Sequence, residues 1–305
     1  MLARTLKPLQ KQRRQDMTND HRVPFTDGSD IRLARLEARH LEGALKLSQE
    51  FSWPYRLEDW QFAAGLGEGL VLERASEVVG TALWWNYGAE HATAGMIIVT
   101  AKVQGMGQGS RLFNALLDAA QGRTILLNAT AEGLPLYERR GFAPWGKIQQ
   151  HQGVLKGAPN VEAESGIRPA TKNDLDAILA FDERAIGMQR RHVVTALAAI
   201  GDTLVIARDE NLLGYAIARK FGRGHVIGPV AANNADDAKY LICAHLAKIG
   251  RQFVRIDVYA DDGLSPFLQS LGLFLVSEVA SMVRGNLPRR MAPARMYAVA
   301  NQSLS

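Results

Sequence analysis

The chain carries a single cysteine in 305 residues, Cys243, so no disulfide can close within it and no thiolate cluster can hold a metal. That cysteine lies in the apolar helical run YLICAHLAKI and reads as a core residue, not a nucleophile. No run of eighteen apolar residues is available to span a bilayer, and the opening MLARTLKPLQKQRRQDM lacks the apolar core and cleavage site of a secretion signal. A cytoplasmic protein with no membrane role and no metal is expected. Net charge is small as well. Residues 1–22 carry Arg4, Lys7, Lys11, Arg13, Arg14 and Arg22 against Asp16 and Asp20, which is four of the five net positive charges. The basic balance therefore belongs to a solvated tail, with a weak phosphate-binding arm as the alternative, and argues against nucleic acid as a partner.

Apolar residues at 47% and charged residues at 22% are those of a globular protein, and 305 residues suit two cores better than one. Four segments are expected: a flexible basic tail over 1–28, a first domain over 29–156, a linker over 157–165 and a second domain over 166–305. In the first domain IRLARL reads as a strand, and LEGALKLSQEF and RLEDWQFAAGL as helices. GLVLER, VVGTALWWNYG and HATAGMIIV follow as an antiparallel meander. Leu112, Phe113, Leu116, Leu117 and Ala120 mark the apolar face of a helix starting near Gly109. TILLN is then a buried strand, EGLPLYERRG a helix stopped at Gly141, and FAPWGKIQQHQGVL a last strand.

The second half repeats the first. IRLA at Ile31 returns as IRPA at Ile167, and GLVLERASEVVGTALWWNYG aligns with DTLVIARDENLLGYAIARKFG so that Gly80 meets Gly214 and Gly88 meets Gly222. LYERRGF aligns with FLQSLGL, Gly141 meeting Gly272. A period this long indicates a duplicated domain and not a solenoid.

Glycines at 105, 107 and 109 stand between a buried strand and an amphipathic helix. Without Cβ atoms, successive backbone N–H groups can converge on an anion at the positive end of the helix dipole. A dinucleotide fingerprint fails here: read from Gly105 it ends on Ser110, read from Gly107 it meets Leu112, and the next strand closes on Asn128 in place of an acid. The Gly-Lys-Ser/Thr ending of a nucleoside-triphosphate loop is absent too.

QGMGQG does match Q/R-x-x-G-x-G/A at Gln104, Gly107 and Gly109, with MIIV ending at Val99 before it and LPLYERRGF after it. Residues 31–155 in this order resemble the GNAT superfamily of N-acetyltransferases. GTALWW, LNATAEGLPLYERRGF and QHQG, with IGPVAANNADDA and SMVRG in the second half, look like a tandem bacterial group whose second GNAT-like domain is divergent. The resemblance implies two α/β (α+β) domains, each a mixed, mostly antiparallel twisted sheet flanked by helices. It implies acetyl-CoA as co-substrate and no metal. Ile98 and Val99 would pair with the pantetheine arm, and Gln104, Gly105, Met106, Gly107, Gln108, Gly109 and Ser110 would hold the pyrophosphate. Tyr137 would be the general acid. Thr130 stands where the family often has asparagine beside the pantetheine, a departure that leaves a hydroxyl for that contact.

The physical chemistry of Tyr137 agrees, since a phenol can donate to a leaving thiolate; a merely packed helix tyrosine is the alternative. No base stands out among Glu73, Glu90, His91 and His151, and water can take that role. Within the aromatic set Trp53, Tyr55, Trp60, Trp84 and Trp85, consecutive strand residues face opposite sides, so Trp53 and Trp84 are guessed as acceptor walls. At the aligned loop the second half has VAANNADDAKYL, and Leu268 at the tyrosine position, so that half is expected not to catalyse and to shape the acceptor site. Asp182, Arg190 and Asp257 in it read as structural ion pairs. The expected activity is acetyl transfer to a primary amine of a small molecule or peptide in a ternary complex. An acyl-CoA sensor without turnover is the alternative, and either a monomer or a homodimer is compatible with a fused repeat.

Overall fold

The computed structural model describes residues 30–155, 157, 159, 166–209 and 211–305; the tail and nearly all of the linker expected above lie outside the described residues. The first half runs β1 (Arg32–Arg35), α1 (Leu41–Glu50), α2 (Leu57–Leu66), β2 (Glu68–Arg74), β3 (Glu77–Tyr87), β4 (His91–Val99), α3 (Gln108–Ala119), β5 (Thr124–Ala129), α4 (Leu134–Glu138) and β6 (Ala143–Val154). The second half runs β7 (Ile167–Pro169), α5 (Leu175–Ile186), α6 (Arg191–Ile200), β8 (Asp202–Arg208), β9 (Asn211–Phe221), β10 (Gly224–Ala232), α7 (Ala235–Ile249), β11 (Phe253–Tyr259), α8 (Ser265–Ser270), β12 (Phe274–Arg284) and β13 (Arg295–Ala298).

Local chemistry accounts for these elements. Leu112, Phe113 and Leu116 are fully buried at helical spacing, which turns one face of α3 onto the sheet. Proline opens the short helices α4 and α8, where its missing N–H costs no hydrogen bond. Gly141 and Gly272 then end them at φ +79° and +90°, a conformation that other residues adopt only with strain. Gly88 and Gly222 likewise share positive φ in equivalent hairpins, +64° and +54°. The repeat read from the sequence thus has matching backbone at matching positions.

All thirteen strands form one sheet in the order β1-β2-β3-β4-β5-β12-β6-β11-β13-β10-β9-β8-β7. Its centre is an exchange. β12 of the second half pairs with β5, β6 of the first half pairs with β11, and the two exchanged strands pair with each other antiparallel. Each half therefore completes the other's sheet, as two subunits swapping a strand would do. The core follows the exchange. Length suggested two cores, yet the largest cluster joins Leu83, Trp85, Met96 and Leu126 to Tyr215, Met296 and Val299 across the halves. Two smaller clusters belong mainly to one half each. The two halves follow one another along the chain, while the core is shared between them.

Candidate active site

Parallel pairing of β4 with β5 holds only from His91–Ala94 against Thr124–Leu127. Beyond that the strands part. The cause is a bulge in β4: the register against β3 shifts between Thr81 and Leu83, and Met96 takes φ +51°. A side chain in that region costs about 1–2 kcal/mol, so the bulge must be held from outside. Thr81 does so, its Oγ1 donating to the Met96 carbonyl at 2.8 Å. Ile98 and Val99 then pair with Thr81 and Gly80 of β3 on one edge and, among the described residues, with no strand on the other.

The chain leaves this edge through a short turn to α3. Gln104 Nε2 reaches back to donate to the Val99 carbonyl at 3.0 Å. Gly105 and Gly107 have φ +80° and +74°, and a Cβ at either would meet nothing within 4 Å, so backbone conformation and not crowding demands glycine there. The backbone N–H groups of Gly105 through Ser110 find no acceptor among the described residues. This run of backbone N–H groups at the positive end of a twelve-residue helix fits a multiply charged anion.

Tyr137 is buried on the α3 side of the sheet, its ring edge-on to Phe113 at 4.9 Å and beside Phe142. Gly133 permits this, since a Cβ there would stand 2.9 Å from the tyrosine ring. Burial pushes the phenol up to about 12, so it is a protonated donor throughout the neutral range. Thr130 is exposed, and its carbonyl accepts from the N–H groups of Gly133 and Leu134 to start α4.

A cavity of about 310 Å³ opens beside the parting strands, with Leu126, Leu127 and Asn128 of β5 in its wall. Trp145 comes from β6, and Ile186, Met188, Tyr259, Leu287, Pro288, Arg290 and Ser305 from the second half complete it. Asn128 is fixed on three sides, donating to the Gln302 carbonyl and to Ser305 Oγ and accepting from Ser281 Oγ. Neither Trp53 nor Trp84 lines this cavity. Trp84 packs with the α3 face, opposite Trp85, whose Nε1 donates to the Ala63 carbonyl; Trp53 stacks near Tyr55. Glu90 and His91 stand at the closed end of β4, and Glu73 is engaged by His40 and Arg39. His151 is wholly buried in β6, where burial pushes its imidazole down. Among the described residues no group of histidine, cysteine or acidic side chains could hold a metal, and no helix is long and apolar enough to cross a membrane.

Sequence reading could not find the cavity. Its aromatic and cationic members, Trp145, Tyr259 and Arg290, come from three distant segments, and NLPRRMAP around Arg290 reads as a loop.

The second half has the same parting strands, filled from within. β10 pairs with β11 only through His225–Ile227 against Val254–Ile256, and β13 enters beyond, Ala298 facing both Val230 and Val258. By register Pro229 stands at the position of Met96, where it offers no N–H. The helix start differs as well. Asn233 N donates to the Leu213 carbonyl, Asn234 caps α7 through Asp237 N, and Asp236 and Asp237 place negative charge in the first turn. Arg208 and Lys239 pair with these acids, so the helix start is already satisfied from within the chain. Asp182 and Arg190 form a buried two-pronged pair at 2.8 Å, joined by the Tyr215 hydroxyl, while Asp257 pairs with Arg255.

Fold and strand parting together define a class: a mixed α/β protein with a sheet split between β4 and β5 and a glycine-rich helix start at the split. The acetyltransferase (GNAT) domain is matched twice by family models, over residues 66–144 and 178–298. The chain belongs to the GNAT acetyltransferases, with two such domains in tandem, and is an acyltransferase. It is 26% identical over 230 residues to the uncharacterized N-acetyltransferase YitH of Bacillus subtilis strain 168, covering 74% of this chain and 81% of that one. It is 26% identical over 275 residues to the holothin acyltransferase of a Pseudoalteromonas species, covering 80% and 92%. A solved structure from Pyrococcus horikoshii, assigned to the acetyltransferases, has the same fold with a TM-score of 0.77 at 17% identity, over 94% of this chain and 100% of that chain. GNAT enzymes move an acyl group from an acyl-CoA to an amine. The unsatisfied N–H groups of Gly105–Ser110 fit the diphosphate of such a donor.

Proposed function

We propose that the first half transfers acetyl from acetyl-CoA to a primary amine of a small molecule or peptide, with both substrates bound together and no covalent enzyme intermediate. One conjunction carries this reading: a strand edge left unpaired at Ile98 and Val99 leads directly into the glycine-rich start of α3, with the protonated phenol of Tyr137 packed against that helix and a cavity walled by β5. The donor supplies a thioester carbon, at which a C–N bond forms and the C–S bond breaks, the amine losing one proton and sulfur gaining one. The free edge at Ile98 and Val99 aligns the donor's amide-bearing arm as a strand would. Gln104 to Ser110 hold its diphosphate, and Thr130 offers a hydroxyl near the start of α4. The Tyr137 hydroxyl donates to the departing sulfur, and its high pKa keeps the proton available at every working pH.

No acidic or imidazole side chain lines the cavity, so the amine binds as the free base and its proton leaves through water. The relative named for holothin supports a small-molecule acceptor. The second half contributes walls and no chemistry, because β13 and the acidic start of α7 occupy what the first half leaves open. Calorimetry with acetyl-CoA, followed by thiol release over a panel of amines, tests the reading. Binding together with amine-dependent release supports it, and binding without release from any amine overturns it.

A further inference from the structure

We propose that the cavity selects an acceptor with an apolar body and a carboxylate, and that Arg290 is the specificity-determining residue that binds the carboxylate. This rests on the reading of the cavity as the acceptor side of the acyl-transfer cleft. Trp145, Met188, Tyr259 and Leu287 give the cavity apolar walls, and among the described residues Arg290 is its one charged side chain. At about 310 Å³ it lies at the lower end of small-ligand sites, which suits a molecule of amino-acid size.

The guanidinium of Arg290 lies 5.3 Å from the ring centroids of both Trp145 and Tyr259. Contact of this kind holds the exposed guanidinium beside the two rings while its N–H groups remain able to donate. No carboxylate or carbonyl among the described residues accepts from them; the neighbouring Asp262 is paired with Arg295. The backbone on either side is anchored. Met291 N donates to the Arg184 carbonyl at 2.8 Å, and the Arg289 carbonyl approaches Gly187 so closely that a Cβ there would stand 2.7 Å away. A planar donor held beside two aromatic rings, with no hydrogen-bonded partner among the described residues, suits a two-pronged carboxylate. The same charge repels an ammonium, which matches an acceptor amine that reacts as the free base.

The experiment compares leucine, phenylalanine and 4-aminobenzoate with 3-methylbutylamine, phenethylamine and aniline, each acid against its decarboxylated counterpart, using the full chain, acetyl-CoA and thiol release. Wild type is expected to favour the acid in kcat/KM, through KM. R290Q is expected to shrink that ratio about ten- to a hundredfold, as loss of a charge-assisted contact does, and R290K to restore part of it. Acetyl-CoA binding by R290Q, read by calorimetry, reports that the variant is folded. Equal turnover of acids and decarboxylated amines, or an R290Q ratio equal to wild type, overturns the carboxylate assignment and leaves acyl transfer standing. Thiol release from neither series overturns the reading of the cavity on which the assignment rests.

Discussion

Gly95 of β4 lies against Ser303: a Cβ at position 95 would stand 2.8 Å from the serine Cβ and 3.0 Å from its Cα. Gly228, its equivalent in the second half, faces the backbone of Val299 and Ala300 in the same way. Both glycines at the parting of the strands thus make room for residues 299–303, which run from the second cleft to the first. Gly95→Val should push this segment off the sheet and loosen Asn128, which holds the Gln302 carbonyl. A loss of about 1–3 kcal/mol is expected from overpacking of this kind. Denaturant unfolding measures it, and the acceptor KM should rise more than the acetyl-CoA Kd, because Ser305 and Asn128 line the cavity and not the nest.

Tyr137→Phe removes a hydroxyl and keeps the ring contacts with Phe113 and Phe142. Turnover should fall about a hundredfold or more, the usual worth of a positioned acid, with acetyl-CoA affinity nearly unchanged. The phenol sits at about 12, so in wild type it stays protonated well above pH 10. A kcat profile should therefore show no alkaline decline from this residue below about pH 11. A decline near pH 9 that disappears in the phenylalanine variant would contradict the assignment.

How much of this was open to the sequence depends on the range of each interaction. The Gly105–Gly107–Gly109 loop is local: its conformation, its helix and its strand are set within fifteen residues, and all three were legible. The repeat was legible for the same reason, through positive-φ glycines such as Gly88 and Gly222. The exchange of β6 and β12 was not, because alternating strands carry no mark of which partner they will pair with. Arg295–Ala298 is too short to announce a strand that enters the second cleft. Facing residues on β3 were legible only by alternation: Trp84 and Trp85 do point to opposite sides, but periodicity does not say which side holds a cavity.

Asp182→Asn should be among the most damaging single changes outside the cleft. Arg190 is fully buried between Asp182 and the Leu304 carbonyl, and removing the acid leaves a buried cation without its counter-charge. Destabilisation of about 3–5 kcal/mol is expected. Thermal unfolding checks it, and a change below about 1 kcal/mol would mean that Arg190 finds another partner.

His245 supplies a pH dependence with a definite sign. It is wholly buried on α7, with one ring nitrogen against the Ala216 carbonyl and the other without a partner. Burial pushes its imidazole down to about 4. The unfolded chain, near 6.5, binds the proton first, so stability present above about pH 6.5 is lost as pH falls toward 4. The full loss is roughly 3 kcal/mol. His245→Gln retains a donor for Ala216 and does not titrate, so its stability should fall less than that of wild type between pH 7 and 4.5. Parallel slopes for the two proteins would exclude the histidine as the cause.

The asymmetry of the two clefts predicts stoichiometry. In the first, Gly105 to Ser110 offer free N–H groups and β4 has an open edge; in the second, Ala298 pairs across the gap and Asp236 and Asp237 guard the helix start. Acetyl-CoA should therefore bind once per chain. Gly107→Asp would put a side chain at φ +74° and a carboxylate beside the diphosphate site, so it should abolish the single binding event and not halve a double one. Calorimetric titration distinguishes the outcomes directly. A stoichiometry of two in wild type, or a residual site of full strength in the variant, would require β13 to leave the second cleft, and Gly228, packed against Val299, would then have lost the contact that accounts for it.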